Sequence, residues 1–281
     1  MNRISTHFLD LEGIKTAYYS TEGEGTPIVL LHGGGVDHAM LSWKTIMQTW
    51  TGSQPLVALD LPGYGNSDKP ELEYSLSFYT GFLNAFLDTL NAQNVTLCGL
   101  SMGGAIALQY ALRYPNYIGK LVLVAPWGVS ASVPYSLMGR LLVRLPLNQA
   151  AYKTLQNRWL AKNIIAGSLI GNREKITPEI LDEVQTAAHS KDAARVFQSF
   201  QISELWGEPP VGHLIPLLPQ IKVPTLFIQG DKDPGVKVGD VKQAAASMPN
   251  TRVEIFEHHK HWVQKESPER FVDIVRDFIE A

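Results

Sequence analysis

Short apolar runs recur along this chain, and most gaps between them carry apolar residues at helical spacing. Residues 4–11 and 14–20 read as an opening hairpin around Gly13. Six further strands are expected at 28–31, 55–59, 95–98, 121–124, 225–229 and 252–256. Helical patterns fall near 42–50, 76–90, 102–114, 239–247 and 267–280. Pro268 suits the first turn of the last helix, where its missing N–H costs nothing. This alternation predicts an α/β chain with a mostly parallel eight-stranded sheet covered by helices on both faces. In open sheets of that kind the reacting residues gather at the C-terminal ends of the strands.

The stretch 128–219 breaks the alternation. It is helix-like throughout and rich in breakers, among them Pro134, Pro146, Pro178, Pro209, Pro210, Pro216 and Pro219. Within 136–145, Leu137, Met138, Leu141, Leu142 and Leu145 share one face, with Arg140 and Arg144 opposite. Thr177-Pro178-Glu179 and Ser190 before Lys191-Asp192 are helix-start signals. We expect 1–127 and 220–281 to form the core and 128–219 an inserted cap of about four helices. A lid resting on a membrane surface would need more cationic support than two arginines.

The chain has 281 residues, 45% of them hydrophobic, and a formal net charge of −3. That suits a globular unit with a sizeable core, and gives no reason to expect nucleic acid as partner. No apolar run reaches the ~18–20 residues of a membrane span. The first residues lack the apolar stretch of a signal peptide. The single cysteine, Cys98, has no second thiol in the chain to pair with, and its strand position suggests burial. The expected setting is cytoplasmic, as a monomer or homodimer, with a small-molecule substrate and neither cofactor nor metal.

Gly99-Leu100-Ser101-Met102-Gly103 stands between an apolar run and a small-residue helix pattern. A G-x-S-x-G between strand and helix reads as a sharp turn that lifts a nucleophilic serine clear of a sheet. The two glycines would spare the turn clashes that Cβ atoms would make. His32-Gly33-Gly34-Gly35 follows an earlier strand, and its amides, most of all Gly34, suit an oxyanion hole with the amide of Met102. His32 itself is expected to hold loop geometry. Gly230-Asp231-Lys232-Asp233 places two acids after a late strand. Either Asp233 or Asp231 suits the acid of a triad, the other being a turn residue. His258-His259-Lys260-His261-Trp262 supplies histidines after the last strand. Three histidines in four positions also suggest a metal set, but no Cys or carboxylate has matching ligand spacing.

Taken together, these motifs and Asp60-Leu61-Pro62-Gly63-Tyr64-Gly65-Asn66-Ser67-Asp68 resemble the α/β-hydrolase superfamily over nearly the whole chain. The resemblance implies the α/β-hydrolase fold, and the triad order Ser, acid, His maps to Ser101, Asp233 and His261. Family histidines usually follow a glycine; Lys260 stands there instead, which keeps His259 a rival. Ser101 excludes the branches with an aspartate nucleophile, and the 60–68 stretch is read as a structural loop. The chain is also similar to carbon–carbon bond hydrolases of aromatic degradation. Those carry an Asn where Leu100 stands and a lid arginine for an anionic dienoate, and Glu179 to Gln185 offers no arginine. The departure favours a serine hydrolase acting on small to medium apolar carboxylic esters through an acyl-enzyme. The alternatives are carbon–carbon hydrolysis, with Arg140, Arg144, Arg158, Arg173 or Arg195 meeting the carboxylate, and a slow ligand receptor on the same fold. Gly35, Trp127 and Trp262 are expected near the substrate, with Trp159 and Trp206 as further aromatics of the cap.

Overall fold

The computed structural model describes residues 1–129, 144–145, 147–190, 192–206 and 214–281. Its centre is an eight-stranded sheet in the order β1-β2-β4-β3-β5-β6-β7-β8. The strands are β1 (Ile4–Leu11), β2 (Ile14–Thr21), β3 (Ile28–Leu31), β4 (Leu56–Leu59), β5 (Val95–Leu100), β6 (Ile118–Val124), β7 (Thr225–Gly230) and β8 (Thr251–Phe256). The β1–β2 and β2–β4 pairs are antiparallel and the other five are parallel. The expected fold class is therefore the observed one. Several strands run longer than their apolar runs: β5 extends to Leu100, and β6 starts at Ile118. Hydrogen bonding to a neighbour continues past the point where the hydrophobic pattern stops.

Side-chain alternation along the strands divides the core in two. Val29, Leu31, Val95, Leu97, Leu121 and Phe227 pack on one face with α2 (Leu76–Thr89), α3 (Met102–Arg113) and residues near 241–248. Ile28, Leu30, Cys98, Leu100, Val122 and Ile228 pack on the other with α1 (Ala39–Thr49) and the C-terminal helix. A period of two sends neighbouring residues to opposite faces, so near-continuous apolar strands need helices on both.

Between β6 and β7 lie α4 (Leu147–Leu155), α5 (Arg158–Ser168), α6 (Pro178–Ala188) and α7 (Ala193–Trp206). Thr177 caps α6 through its side chain, with Pro178 in the first turn. The apolar stripe anticipated at 136–145 lies outside the described residues up to 143; Arg144 and Leu145 are exposed. After β7 come α8 (Val238–Ser247), a single turn α9 (Val263–Glu266) and α10 (Pro268–Glu280). The last expected helix, 267–280, is α10 and starts one residue later, because the residue before a proline is pushed out of helical geometry.

Loops at the C-terminal edge of the sheet are held by buried carboxylates. Asp60 accepts from the Ala39 amide at 2.8 Å, the Asn66 amide at 2.8 Å and the Tyr19 hydroxyl at 3.0 Å. One side chain so joins β2, the start of α1 and the loop after β4, which fits the structural reading of 60–68. Asp60→Ala should lower the unfolding free energy by about 3 kcal/mol, because two buried donors and a part-buried one lose their partner. Urea unfolding beside wild type measures it; a loss under about 1 kcal/mol would mean that the loop is held by other contacts.

Candidate active site

The turn after β5 sets the site. Ser101 has φ +51° and ψ −112°, a conformation that non-glycine residues rarely adopt. Three backbone hydrogen bonds hold it there. Its amide donates to Val124 O at 2.9 Å, and its carbonyl accepts from Ala105 at 3.1 Å and Trp127 at 3.0 Å. A Cβ on Gly99 would lie 2.3 Å from Gly103 O, and one on Gly103 2.4 Å from Leu31 O. Only glycines let α3 cross so close to β3 and β5.

Ser101, Asp233 and His261 line one cavity of about 490 Å³. They follow β5, β7 and the strand beside it, so neighbouring strand ends bring residues 160 positions apart to one place. Gly34, Met102 and Trp127 line it too. Met102 opens α3, and the first amides of a helix have no partner within it. Gly34 lies directly beneath Phe197 of α7, whose ring a Cβ would meet at 2.6 Å. Phe200, Leu205 and Leu169 complete apolar walls, and Gln201, Ser168, Lys237 and Asp240 add polar groups.

His261 Nδ1 is 2.7 Å from Asp233 Oδ2. The other oxygen, Oδ1, accepts from the amides of Gly235 at 2.7 Å and Val236 at 3.1 Å. Burial pushes the Asp233 carboxyl upward, but the hydrogen bond and charge of His261 and these two amides outweigh it. The net result is a carboxyl held below its ordinary value. The competing residues sit elsewhere. Asp231 makes an ion pair with Lys232 at 3.4 Å. His259 is tied through Nδ1 to Glu257 O and through Nε2 to Ser267 Oγ, both at 2.7 Å. His32 Nε2 accepts from the Leu61 amide at 3.2 Å, so its Nδ1, 2.7 Å from Gly33 O, is the donor. That assignment makes the ring neutral, and burial lowers its pKa in the same sense. Asp37 shapes the adjoining loop by accepting from the Gly33 amide at 2.8 Å and the Ser42 hydroxyl.

Two expected pocket residues lie away from the cavity. Gly35 lines a separate, smaller one with Asp37 and Lys69, because the chain turns there at φ +78°. Trp262 is buried in the core cluster of the α1 face and does not line the cavity with His261. Trp159 points outward, 71% exposed, and the side chain of Trp206 lies outside the described residues. The aromatic wall comes instead from Phe197 and Phe200, three apart on α7. Their spacing is visible in the sequence, but it looks the same as core packing.

Lys260, the departure from the usual glycine, has a place. Its ammonium donates to Ala166 O and, at 2.9 Å, to Gly167 O at the end of α5. Nearby, Trp262 donates to Leu169 O at 2.8 Å, and the buried Glu266 carboxylate accepts from the amides of Gly171 and Asn172 at 2.7 and 2.6 Å.

Residues 26–268 match the family described as alpha/beta hydrolase fold. The chain belongs to the α/β-hydrolase family. Within it, a 2-hydroxy-6-oxo-6-phenylhexa-2,4-dienoate hydrolase of Comamonas testosteroni is 26% identical over 271 residues, 93% of this chain and 90% of that protein. A 2-hydroxy-6-oxononadienedioate/2-hydroxy-6-oxononatrienedioate hydrolase of Paraburkholderia phymatum is 29% identical over 270 residues, 93% and 90% of the two chains. Among solved structures, a bacterial membrane phospholipase A matches with TM-score 0.80 at 26% identity, over 99% of this chain and 86% of that one. The 2-hydroxy-6-oxo-6-phenylhexa-2,4-dienoate hydrolase of Rhodococcus sp. strain RHA1 matches over the full length of both chains with TM-score 0.83 at 19% identity, a likeness of fold. Among the described residues of this family member, no helix is long and apolar enough to cross a membrane.

The lowered Asp233 carboxyl has a pH consequence. Its stabilisation is fully present above the ordinary carboxylate value of ~3.9 and is lost as pH falls through the lower native value. The gap in unfolding free energy between wild type and Asp233→Asn should therefore be widest at neutral pH and close on acidification. Chemical denaturation across that range checks it; a gap that stays constant would mean that these partners do not favour the ionised carboxyl.

Proposed function

We propose that the protein is a serine hydrolase in which Ser101 is the nucleophile, His261 the base and Asp233 the acid that orients it. The observation that carries this reading is the His261–Asp233 pair, sharing a cavity with a serine on a strained turn. Ser101 Oγ attacks a carbonyl carbon while His261 takes its proton. Asp233 holds the Nδ1–H tautomer and stabilises the imidazolium. The amides of Met102 and Gly34 receive the oxyanion. When the tetrahedral species collapses, the bond to the leaving group breaks and His261 returns the proton to that group. Water, activated by His261, then releases the acid from Ser101. The helices between β6 and β7, bounded by 128 and 219, act as a cap whose Phe197 and Phe200 shape specificity.

For the bond that is opened, the names of the relatives favour carbon–carbon hydrolysis of an oxo-dienoate. There the departing carbon must carry its electron pair into the conjugated chain before it is protonated. Such a substrate bears a carboxylate. Among the described residues no arginine lines the cavity. Arg158 pairs with Asp182, Arg173 donates to Asn163 at 2.7 Å, and Arg195 donates to Lys69 O at 2.8 Å. Arg140 lies outside the described residues. Lys237, on the cavity wall, takes the anion in this reading. Ester hydrolysis is the second reading, favoured by the apolar walls of Phe197, Phe200, Leu205 and Leu169 and by the second acid, Asp240.

Ser101→Ala should lower kcat by about 10⁵–10⁶-fold on any true substrate. Turnover that survives it would remove Ser101 as nucleophile. A 2-hydroxy-6-oxo-dienoate assayed beside a p-nitrophenyl ester chain-length series separates the two bonds by kcat/KM. In the carbon–carbon reading, Lys237→Met should raise KM for the dienoate about tenfold, the loss of one charge-assisted contact, and leave a neutral ester unchanged. Higher kcat/KM on esters, with a clear length optimum, selects the second reading.

A further inference from the structure

Gln229 is a polar residue in the buried run Leu226-Phe227-Ile228, fully shielded from solvent near the end of β7. Its amide nitrogen lies 3.1 Å from Asp233 Oδ2, 3.1 Å from Gly230 O and 2.9 Å from Val236 O. Its amide oxygen is buried without a partner. An apolar side chain of the same size would avoid that orphan, which costs about 1–3 kcal/mol. The nitrogen end therefore has a use that outweighs the oxygen end.

Where the nitrogen points defines that use. Gly230 and Val236 are the two ends of the turn that carries Asp233, so one amide group spans the turn and closes it. Its contact to the carboxylate falls on Oδ2, the oxygen that meets His261, and not on Oδ1, which the Gly235 and Val236 amides already hold. Four donors thus divide two and two between the oxygens, and the carboxylate plane has no freedom to rotate. We infer that Gln229 is a positioning residue of the reaction, setting the Asp233 carboxylate so that Oδ2 faces Nδ1 of His261. The inference rests on the triad reading above. It assigns Gln229 no contact with substrate.

Among the described residues, the charged groups around the pair are few. Lys237 and Asp240 face the cavity from the start of α8, Asp231 and Lys232 pair with each other on the acid turn, and Lys260 is committed to the end of α5. Among the described residues, the α5 and α7 walls bring Ser168, Leu169, Phe197, Phe200, Gln201 and Leu205. A change made at Gln229 therefore reads on the His261–Asp233 pair.

Gln229→Met keeps the volume and removes the donor. Active sites are counted by fluorophosphonate labelling of Ser101, and kcat and KM are measured per labelled site across pH. We expect kcat to fall about 10–50-fold with KM within twofold, as for a supporting hydrogen bond to a reacting group. A carboxylate relieved of a donor keeps more charge on Oδ2 and holds the imidazolium more firmly. The acid limb of kcat/KM should accordingly move to higher pH, and the ¹⁵N resonances of His261 should titrate upward with it. Gln229→Leu, which also removes the donor with an apolar side chain, should move both in the same direction and serves if the methionine variant folds poorly. An unchanged kcat and an unmoved titration would overturn the inference and leave Gln229 as turn packing. Failure of wild type to label at Ser101 would overturn the triad reading instead, and the His261 resonances would still decide the question of Gln229.

Discussion

Everything in the site hangs on one unfavourable backbone conformation. Ser101 sits at positive φ, at a cost of order 1–3 kcal/mol, because the chain must pass from β5 into α3 without a loop. The surrounding structure over-determines that turn. Bonds to Val124, Ala105 and Trp127 fix it from the next strand, from its own helix and from the loop after β6. The same contacts seat Met102 at the head of α3 and bring Trp127 to the cavity wall. The proposed nucleophile, one proposed oxyanion donor and one wall are therefore a single piece of geometry. No residue of the three can shift while the other two stay.

Around that turn the loops are organised by buried acceptors, not by apolar packing. Asp37 and Asp60 gather amides from the loops after β3 and β4. Asp233 gathers amides from its own turn, and Glu266 gathers two from the segment after α5. A carboxylate has about four acceptor positions, so one side chain can satisfy several loop amides that the sheet leaves unpaired. His32 extends the scheme by offering a ring nitrogen to the Leu61 amide. The C-terminal edge of the sheet is thus a lattice of fixed dipoles, which suits a place where charge is to develop.

The fold was legible because both of its periodicities are strong. Apolar strands such as Val29 to Leu31 and helices such as Leu76 to Thr89 declare themselves locally, and their alternation leaves few topologies. Ser101 was legible from G-x-S-x-G, whereas the late turns offered two acids and three histidines, and the choice of Asp233 and His261 rested on the family resemblance. What the structure adds is their meeting at one cavity, a long-range fact. Gly35 and Trp262 lie away from the cavity because being next to a site residue in sequence does not place a residue beside it in space: the chain turns away at Gly35, and the Trp262 side chain packs into the core. Phe197 and Phe200 were hidden because a wall of a cavity and a wall of a core have the same amphipathic signature. Gln229 did leave a trace, one amide in an apolar strand, but its partner four residues on is visible only in three dimensions.

The ties of Lys260, Trp262 and Glu266 to the end of α5 carry a lesson about inheritance. The turn that holds His261 is anchored to carbonyls and amides at the end of α5 and in the connection after it, and connections are the parts of a scaffold that tolerate change. Exchange of that segment for a foreign one would remove the docking points of the turn. The histidine end of this protein and the helices above it are best regarded as a matched set, free to diverge from other lineages only in step.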